Sequence, residues 1–250
     1  MQNRLSLRLI ALCSVVALLF NTTLPATAAL HPLSMLQHNR TTGVSDIDLT
    51  ISLDWDPAKV NLNVTPRGMT VAETEAAVND ALDRAERLKR PGGLDGFALC
   101  SDYCLNQGPF LSPSQFSEFV TPYLARLIRG YRDMGYYTIK HTDGNIMPIL
   151  DQLVQARPHA LHSLDPQAGV DIAEVKRRHG REVCLIGNVN CGKLDTGTDR
   201  EVVESARYAL KHGMPGGGYI FSTSNCIYTG MRLARYELML KVWREEGVYR

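Results

Sequence analysis

From residue 97 onward, short continuous apolar runs alternate five times with capped, helix-like segments, and this alternation constrains the fold more than any other feature. The apolar runs are residues 97–100, 136–140, 160–164, 183–189 and 219–222. Runs that are apolar throughout, and not only at every second position, suit strands buried on both faces. Helix signals fall between them. Ser112-Pro113-Ser114-Gln115 offers an N-cap, a proline at the first helical position and a capping-box glutamine, predicting one helix over 112–134. Residues 145–156 read as helical, Asp171 with Glu174 and Thr198 with Glu201 open helices ending at Gly180 and Gly213, and 231–246 is the last. A preceding helix, 71–90, is opened by Thr70 and Glu73 and stopped by Pro91-Gly92-Gly93.

Apolar strands separated by helices form right-handed βαβ units around a parallel sheet. The expected fold class is therefore α/β, of (β/α)8 TIM-barrel type. Five βα units are visible where a closed barrel needs eight strands, so the barrel is expected to be incomplete. Residues 70–250 form the barrel domain in this reading, and 29–69 form a poorly determined leader with an isolated strand-like stretch at 49–53. Residues 1–28 have the three parts of a secretory signal peptide: Arg4 and Arg8, an apolar run over 9–20, and Ala26-Thr27-Ala28.

Composition narrows the function classes. With 44% hydrophobic and 21% charged residues, the chain is neither disordered nor a polytopic membrane protein. Its formal net charge of +1 gives no electrostatic footprint for nucleic acid, which leaves a small molecule as the expected partner. Outside the N-terminal run, Cys100, Cys104, Cys184, Cys191 and Cys226 are odd in number and irregular in spacing, which does not suit a disulfide framework. Cys100 and Cys184 read as small buried residues. Unpaired cysteines suit the cytoplasm and the signal-like segment suits export, so localisation stays open between the two.

In parallel α/β folds the site gathers at the carboxyl ends of the strands. The polar residues there are Asp102 and Asn106, then His141, Asp143 and Asn145, then Asp165, then Asn188 and Asn190, and finally Ser224, Asn225 and Cys226. Asp102, His141 and Asp143 are the candidates for acid–base catalysis. Asn106, Asp165, Asn188, Asn225 and Cys226 are the candidates for substrate binding, with turn formation the plainer role for Asp165, Asn188 and Asn190. His159, His179 and His212 stand at helix ends, where the dipole accounts for them, and His162 lies within a strand. The triple glycine 216–218 precedes a strand, which makes it a bottom-face turn and not a phosphate cradle.

Asn106-Gln107-Gly108-Pro109-Phe110-Leu111-Ser112-Pro113, Ile139-Lys140-His141-Thr142-Asp143-Gly144-Asn145, Leu161-His162-Ser163-Leu164-Asp165-Pro166, Leu185-Ile186-Gly187-Asn188 and Gly217-Gly218-Tyr219-Ile220 occur in this order. The set resembles the uroporphyrinogen decarboxylase superfamily, over roughly residues 70–250. The resemblance implies a cofactor-free carboxy-lyase of the porphyrin-biosynthesis type, acting on a tetrapyrrole. The arginine-rich segment and early aspartate of such decarboxylases have no counterpart here, and Cys226 stands where they carry a late histidine. The superfamily also contains corrinoid-dependent methyltransferases, in which a His-x-Cys pair and a later cysteine hold zinc. His141 and Cys226 fall on two of those positions and Asp143 on the third, so this branch implies zinc on His141, Asp143 and Cys226, with a methylated compound or corrinoid as partner. A third alternative is a truncated, non-catalytic remnant whose open sheet edges are covered in a homodimer.

Overall fold

A computed structural model of the chain describes residues 9–12, 49–56, 59–66, 71–89 and 94–249. Its main sheet has six strands, all parallel: β1 (Leu9–Leu12), β4 (Gly96–Cys100), β7 (Tyr137–Thr142), β8 (Ala160–Ser163), β9 (Cys184–Val189) and β10 (Tyr219–Thr223), in that spatial order. The five strands expected from the apolar runs are all present. Helices α1 (Val71–Arg87), α3 (Thr121–Asp133), α4 (Leu150–Gln155), α5 (Ile172–His179), α7 (Asp199–Gly213) and α8 (Leu233–Glu246) accompany them. The fold is α/β of TIM-barrel type, with six of the eight strands of a closed barrel among the described residues.

Residues 9–12, inside the signal-like apolar run, pair with β4 in parallel register, while the rest of 1–28 lies outside the described residues. In the leader, the strand-like stretch is one arm of an antiparallel hairpin, β2 (Leu49–Asp56) and β3 (Lys59–Pro66), in a sheet of its own. No helix among the described residues is long and apolar enough to cross a membrane.

Helix boundaries move where proline dictates. The single helix expected over 112–134 is two, α2 (Pro113–Phe119) and α3, joined at Val120. Pro122 has no N–H to give the preceding turn and its ring crowds that turn, so the first helix ends there. At the junction the Phe116 carbonyl accepts from both the Val120 N–H at 3.0 Å and the Thr121 hydroxyl at 3.2 Å. Pro148 likewise turns the start of the 145–156 helix into a 3-10 turn, Met147–Ile149, before α4. Two short elements have no counterpart in the sequence reading: the hairpin β5 (Cys104–Leu105) and β6 (Gly108–Pro109), and α6 (Cys191–Asp195).

Parallel register sorts the strand residues by face. Leu99, Lys140, Leu161, Leu185 and Tyr219 are successive register partners across the sheet, and all are buried toward the helices. Against them pack the α1 stripe of Val78, Ala81 and Ala85, and Phe97 stacked on Tyr131 with ring centroids 4.4 Å apart. The next residue along each strand points the opposite way. Cys100, His141 and His162 form one row on this second face, and Ile186 pairs with Ile220, which is 50% exposed.

Candidate functional site

β7 runs two residues further than its apolar run suggested, so His141 is a strand residue and not the first residue after the strand. Its ring therefore projects from the open face of the sheet. Asp102 follows β4 and Asp143 follows β7, so both carboxylates arrive at the strand ends beside it. The two chain segments are tied together by the Asp143 backbone N–H, which donates to Asp102 Oδ1 at 2.9 Å. His141 Nε2 then lies 3.8 Å from Asp102 Oδ1 and 3.7 Å from Asp143 Oδ2. Asn225, in the loop after β10, donates its amide N–H to Asp143 Oδ2.

The loop that holds Asp143 depends on Gly144. Its φ is +81°, and a Cβ there would sit 2.5 Å from the Cys104 carbonyl oxygen. Glycine thus lets the β5–β6 hairpin settle directly on the loop, where the Asn145 N–H donates to the Leu105 carbonyl at 2.9 Å.

Behind His141 stands a second histidine. The two Nδ1 atoms of His141 and His162 are 2.7 Å apart, and His162 Nε2 lies 3.2 Å from the Thr223 carbonyl oxygen. Burial holds the His141 pKa down at about 4, with Asp102 opposing and Lys140 reinforcing the shift. Burial also lowers His162 to about 4, helped by His141, so both rings are neutral at pH 7. Asp143 moves the other way: burial and the neighbouring Asp102 push it up to about 6, and the Ser163 hydroxyl counters part of that. Titratable neighbours whose environments push their pKa values apart are a recurring property of functional sites.

The remaining candidates fall in several places. Asp165 accepts from the Gln167 N–H at 3.0 Å, capping a short 3-10 turn, and burial raises its pKa. Asn188 is 4% exposed and donates to the Leu164 and Val170 carbonyls, which makes it a clamp between loops. Asn190 caps α6 by accepting from the Lys193 N–H. Asn106 is exposed in the turn of the β5–β6 hairpin. Cys226 is exposed, and the group whose ligand atoms lie within 4.8 Å of one another is Asp102, His141 and Asp143 without it. Of the expected set His141, Asp143 and Cys226, the first two stand together with Asp102 in the group that could hold a metal ion among the described residues, and Cys226 is exposed in the loop after β10.

Residues 100–246 match the family profile of uroporphyrinogen decarboxylase (URO-D). The chain belongs to the uroporphyrinogen decarboxylase family. Among solved structures, the chain is similar to a methyltransferase from Methanosarcina mazei, with a TM-score of 0.59 and 20% sequence identity. The likeness covers 71% of this chain and 49% of that one, so the chain spans about half of that neighbour's length. It is a likeness of fold. No curated protein matches the sequence.

The matched stretch of the chain contains Asp102, His141, Asp143 and His162. A divalent ion with ligand bonds of about 2.0–2.2 Å places tetrahedral donors roughly 3.4 Å apart, so the 3.7 and 3.8 Å separations need only a small closure. One imidazole nitrogen and two carboxylate oxygens form a harder set than one with a thiolate, suited to zinc, manganese or ferrous iron. Two neighbours of His141 are not singled out by the sequence, one beside its ring and one behind its strand. In the sequence His162 is only a residue within a strand, and its register with His141 across β7 and β8 brings the rings together. Lys140 is fully buried on the opposite face. Its Nζ donates to the Leu99 and Ser101 carbonyls at 3.2 and 2.8 Å and to the His141 carbonyl, 4.3 Å over the Tyr103 ring. Burial lowers its pKa to about 7.

Proposed function

We propose that this URO-D family chain is an enzyme of the methyl-transfer branch, acting on a small methylated compound at the open ends of its strands with a divalent cation held by Asp102, His141 and Asp143. The observation that carries this reading is the convergence of one imidazole nitrogen and two carboxylate oxygens within 4.8 Å at the C-terminal ends of adjacent strands. The methyltransferase likeness of the fold is compatible with it. When bound, the cation supplies Lewis acidity toward an oxygen of the substrate or nucleophile. The protein's own part is to hold and orient. The Asp143 N–H fixes Asp102, the Asn225 amide fixes Asp143, and the hairpin over Gly144 keeps the loop from swinging away.

Metal analysis of the purified full chain tests this. About one zinc, manganese or iron per chain is expected, retained in Cys226→Ala and lost in Asp143→Asn. A folded wild-type protein that takes up none of these ions overturns the reading.

One observation favours a second, metal-free reading. An aspartate with a pKa near 6 beside a neutral imidazole is equipped to donate a proton, as a tetrapyrrole decarboxylase must do once carbon dioxide leaves. The carbon–carbon bond breaks, its electron pair stays on the substrate carbon, and the Asp143 carboxyl proton fills that position. In this reading Asp143→Asn loses turnover without any change in metal content.

A further inference from the structure

The contact between the two histidines fixes more than distance, because one end of it is a backbone carbonyl. The Thr223 oxygen can only accept, so His162 Nε2 carries the proton directed at it. A neutral imidazole has a single N–H, which leaves His162 Nδ1 bare and able only to accept. The atom 2.7 Å from it, His141 Nδ1, is therefore the donor. The one N–H of His141 is then used, and its Nε2 is a lone pair facing Asp102 Oδ1 and Asp143 Oδ2.

That arrangement is unfavourable by itself. A ring nitrogen facing two carboxylates would gain most by carrying a proton and donating it to one of them. The carbonyl of Thr223, three strands from His141, forces the other tautomer through His162. A lone pair and two carboxylate oxygens pointed at one another repel until a positive charge stands between them.

We propose that His162 is a positioning residue: anchored on the Thr223 carbonyl, it sets the tautomer of His141 so that Nε2 is presented, together with Asp102 and Asp143, to a divalent cation. The identity of the guest rests on the cation reading of the site, whereas the tautomer rests on the hydrogen-bond chain alone. A histidine ligand whose other nitrogen donates to an outer partner is the arrangement that orients metal-binding rings, and loss of such a partner lowers metal affinity by about 10- to 100-fold.

The test is two-dimensional proton–nitrogen NMR of the metal-free full chain labelled at histidine, at pH 7.5, followed by calorimetric titration with Zn²⁺. The wild type is expected to show His141 protonated at Nδ1 and bare at Nε2, and His162 protonated at Nε2. In His162→Gln the side-chain amide can accept from His141 and donate to Thr223, so tautomer and affinity are retained. In His162→Leu the His141 ring loses its fixed tautomer and Zn²⁺ affinity drops about 10- to 100-fold. A wild-type His141 protonated at Nε2 overturns the proposal, as does a His162→Leu protein that binds Zn²⁺ as tightly as wild type. If His162→Leu fails to fold, the wild-type spectrum and His162→Gln decide. A wild type with the expected tautomer but no affinity for Zn²⁺ leaves the positioning role standing and removes the cation reading instead.

Discussion

Lys140 lies within β7 and Asp143 in the loop just after it, and the fold disfavours the charged form of each. For Asp143 the folded pKa rises from 3.8 to about 6, so the native state binds its proton more tightly than the unfolded chain does. The stability this gives is present below about pH 4 and is lost as pH rises through 6. At pH 7 the ionised side chain is a net penalty, and Asp143→Asn removes it. The metal-free variant should melt higher than wild type at pH 7, by about 2–4 °C per kcal/mol of relieved repulsion, and the two melting temperatures should converge near pH 4. For Lys140 the folded pKa falls from 10.5 to about 7, so the unfolded chain binds more protons between those values and stability rises with pH across that window. Wild-type melting temperature should climb from pH 7 to pH 10 relative to Lys140→Met, which has no group to titrate there. Parallel slopes in the two proteins would show that the amine is not buried as the contacts with Leu99, Ser101 and His141 require.

At the scale of elements, the site is a loop pinned by a hairpin. Gly144→Ala forces a side chain into positive φ and drives its Cβ to 2.5 Å from the Cys104 carbonyl, so the loop or the hairpin must move. A residue held in such a conformation costs about 1–3 kcal/mol, and the clash adds to it. Thermal melts should show at least that loss, and Zn²⁺ binding should weaken more than in a surface variant of equal stability. Much of this level was legible in advance. Capping residues at Ser112, Asp171 and Thr198 mark helix starts that the structure keeps, because caps act through local hydrogen bonds. Pro122 and Pro148 could have signalled the broken helices. The pairing of His141 with His162 could not be read from the sequence, since which strands are neighbours, and in which register, is decided by the packed sheet. The same limit applies to Cys226, which follows β10 and is exposed in the loop after it. It also explains Asn188, whose amide is used up by two carbonyls that come near it only in the folded chain.

For the molecule as a whole, the question is whether a six-stranded part of a barrel behaves as one folding unit. The buried apolar residues form a single cluster running from Val78 in α1 to Val242 in α8, with members in β4, β5, β8, β9 and β10. A core shared by all these elements cannot be lost piecemeal, so unfolding should be cooperative. Far-ultraviolet and near-ultraviolet circular dichroism should give coincident transitions, and the calorimetric and van't Hoff enthalpies should agree. A broad melt with separated transitions would favour the non-catalytic remnant, because an unclosed sheet with Ile220 half exposed would then be failing to hold its tertiary packing. The site ties this to function, since a ligand that binds only the folded state raises its stability. Zn²⁺ at about 100 times its dissociation constant adds about 2.7 kcal/mol, which at about 2–4 °C per kcal/mol corresponds to a rise of roughly 5–11 °C. That rise should appear in wild type and in Cys226→Ala and be absent in Asp143→Asn. If all three proteins rise alike, the ion is bound away from the rim, and the cooperative fold would stand without the centre proposed for it.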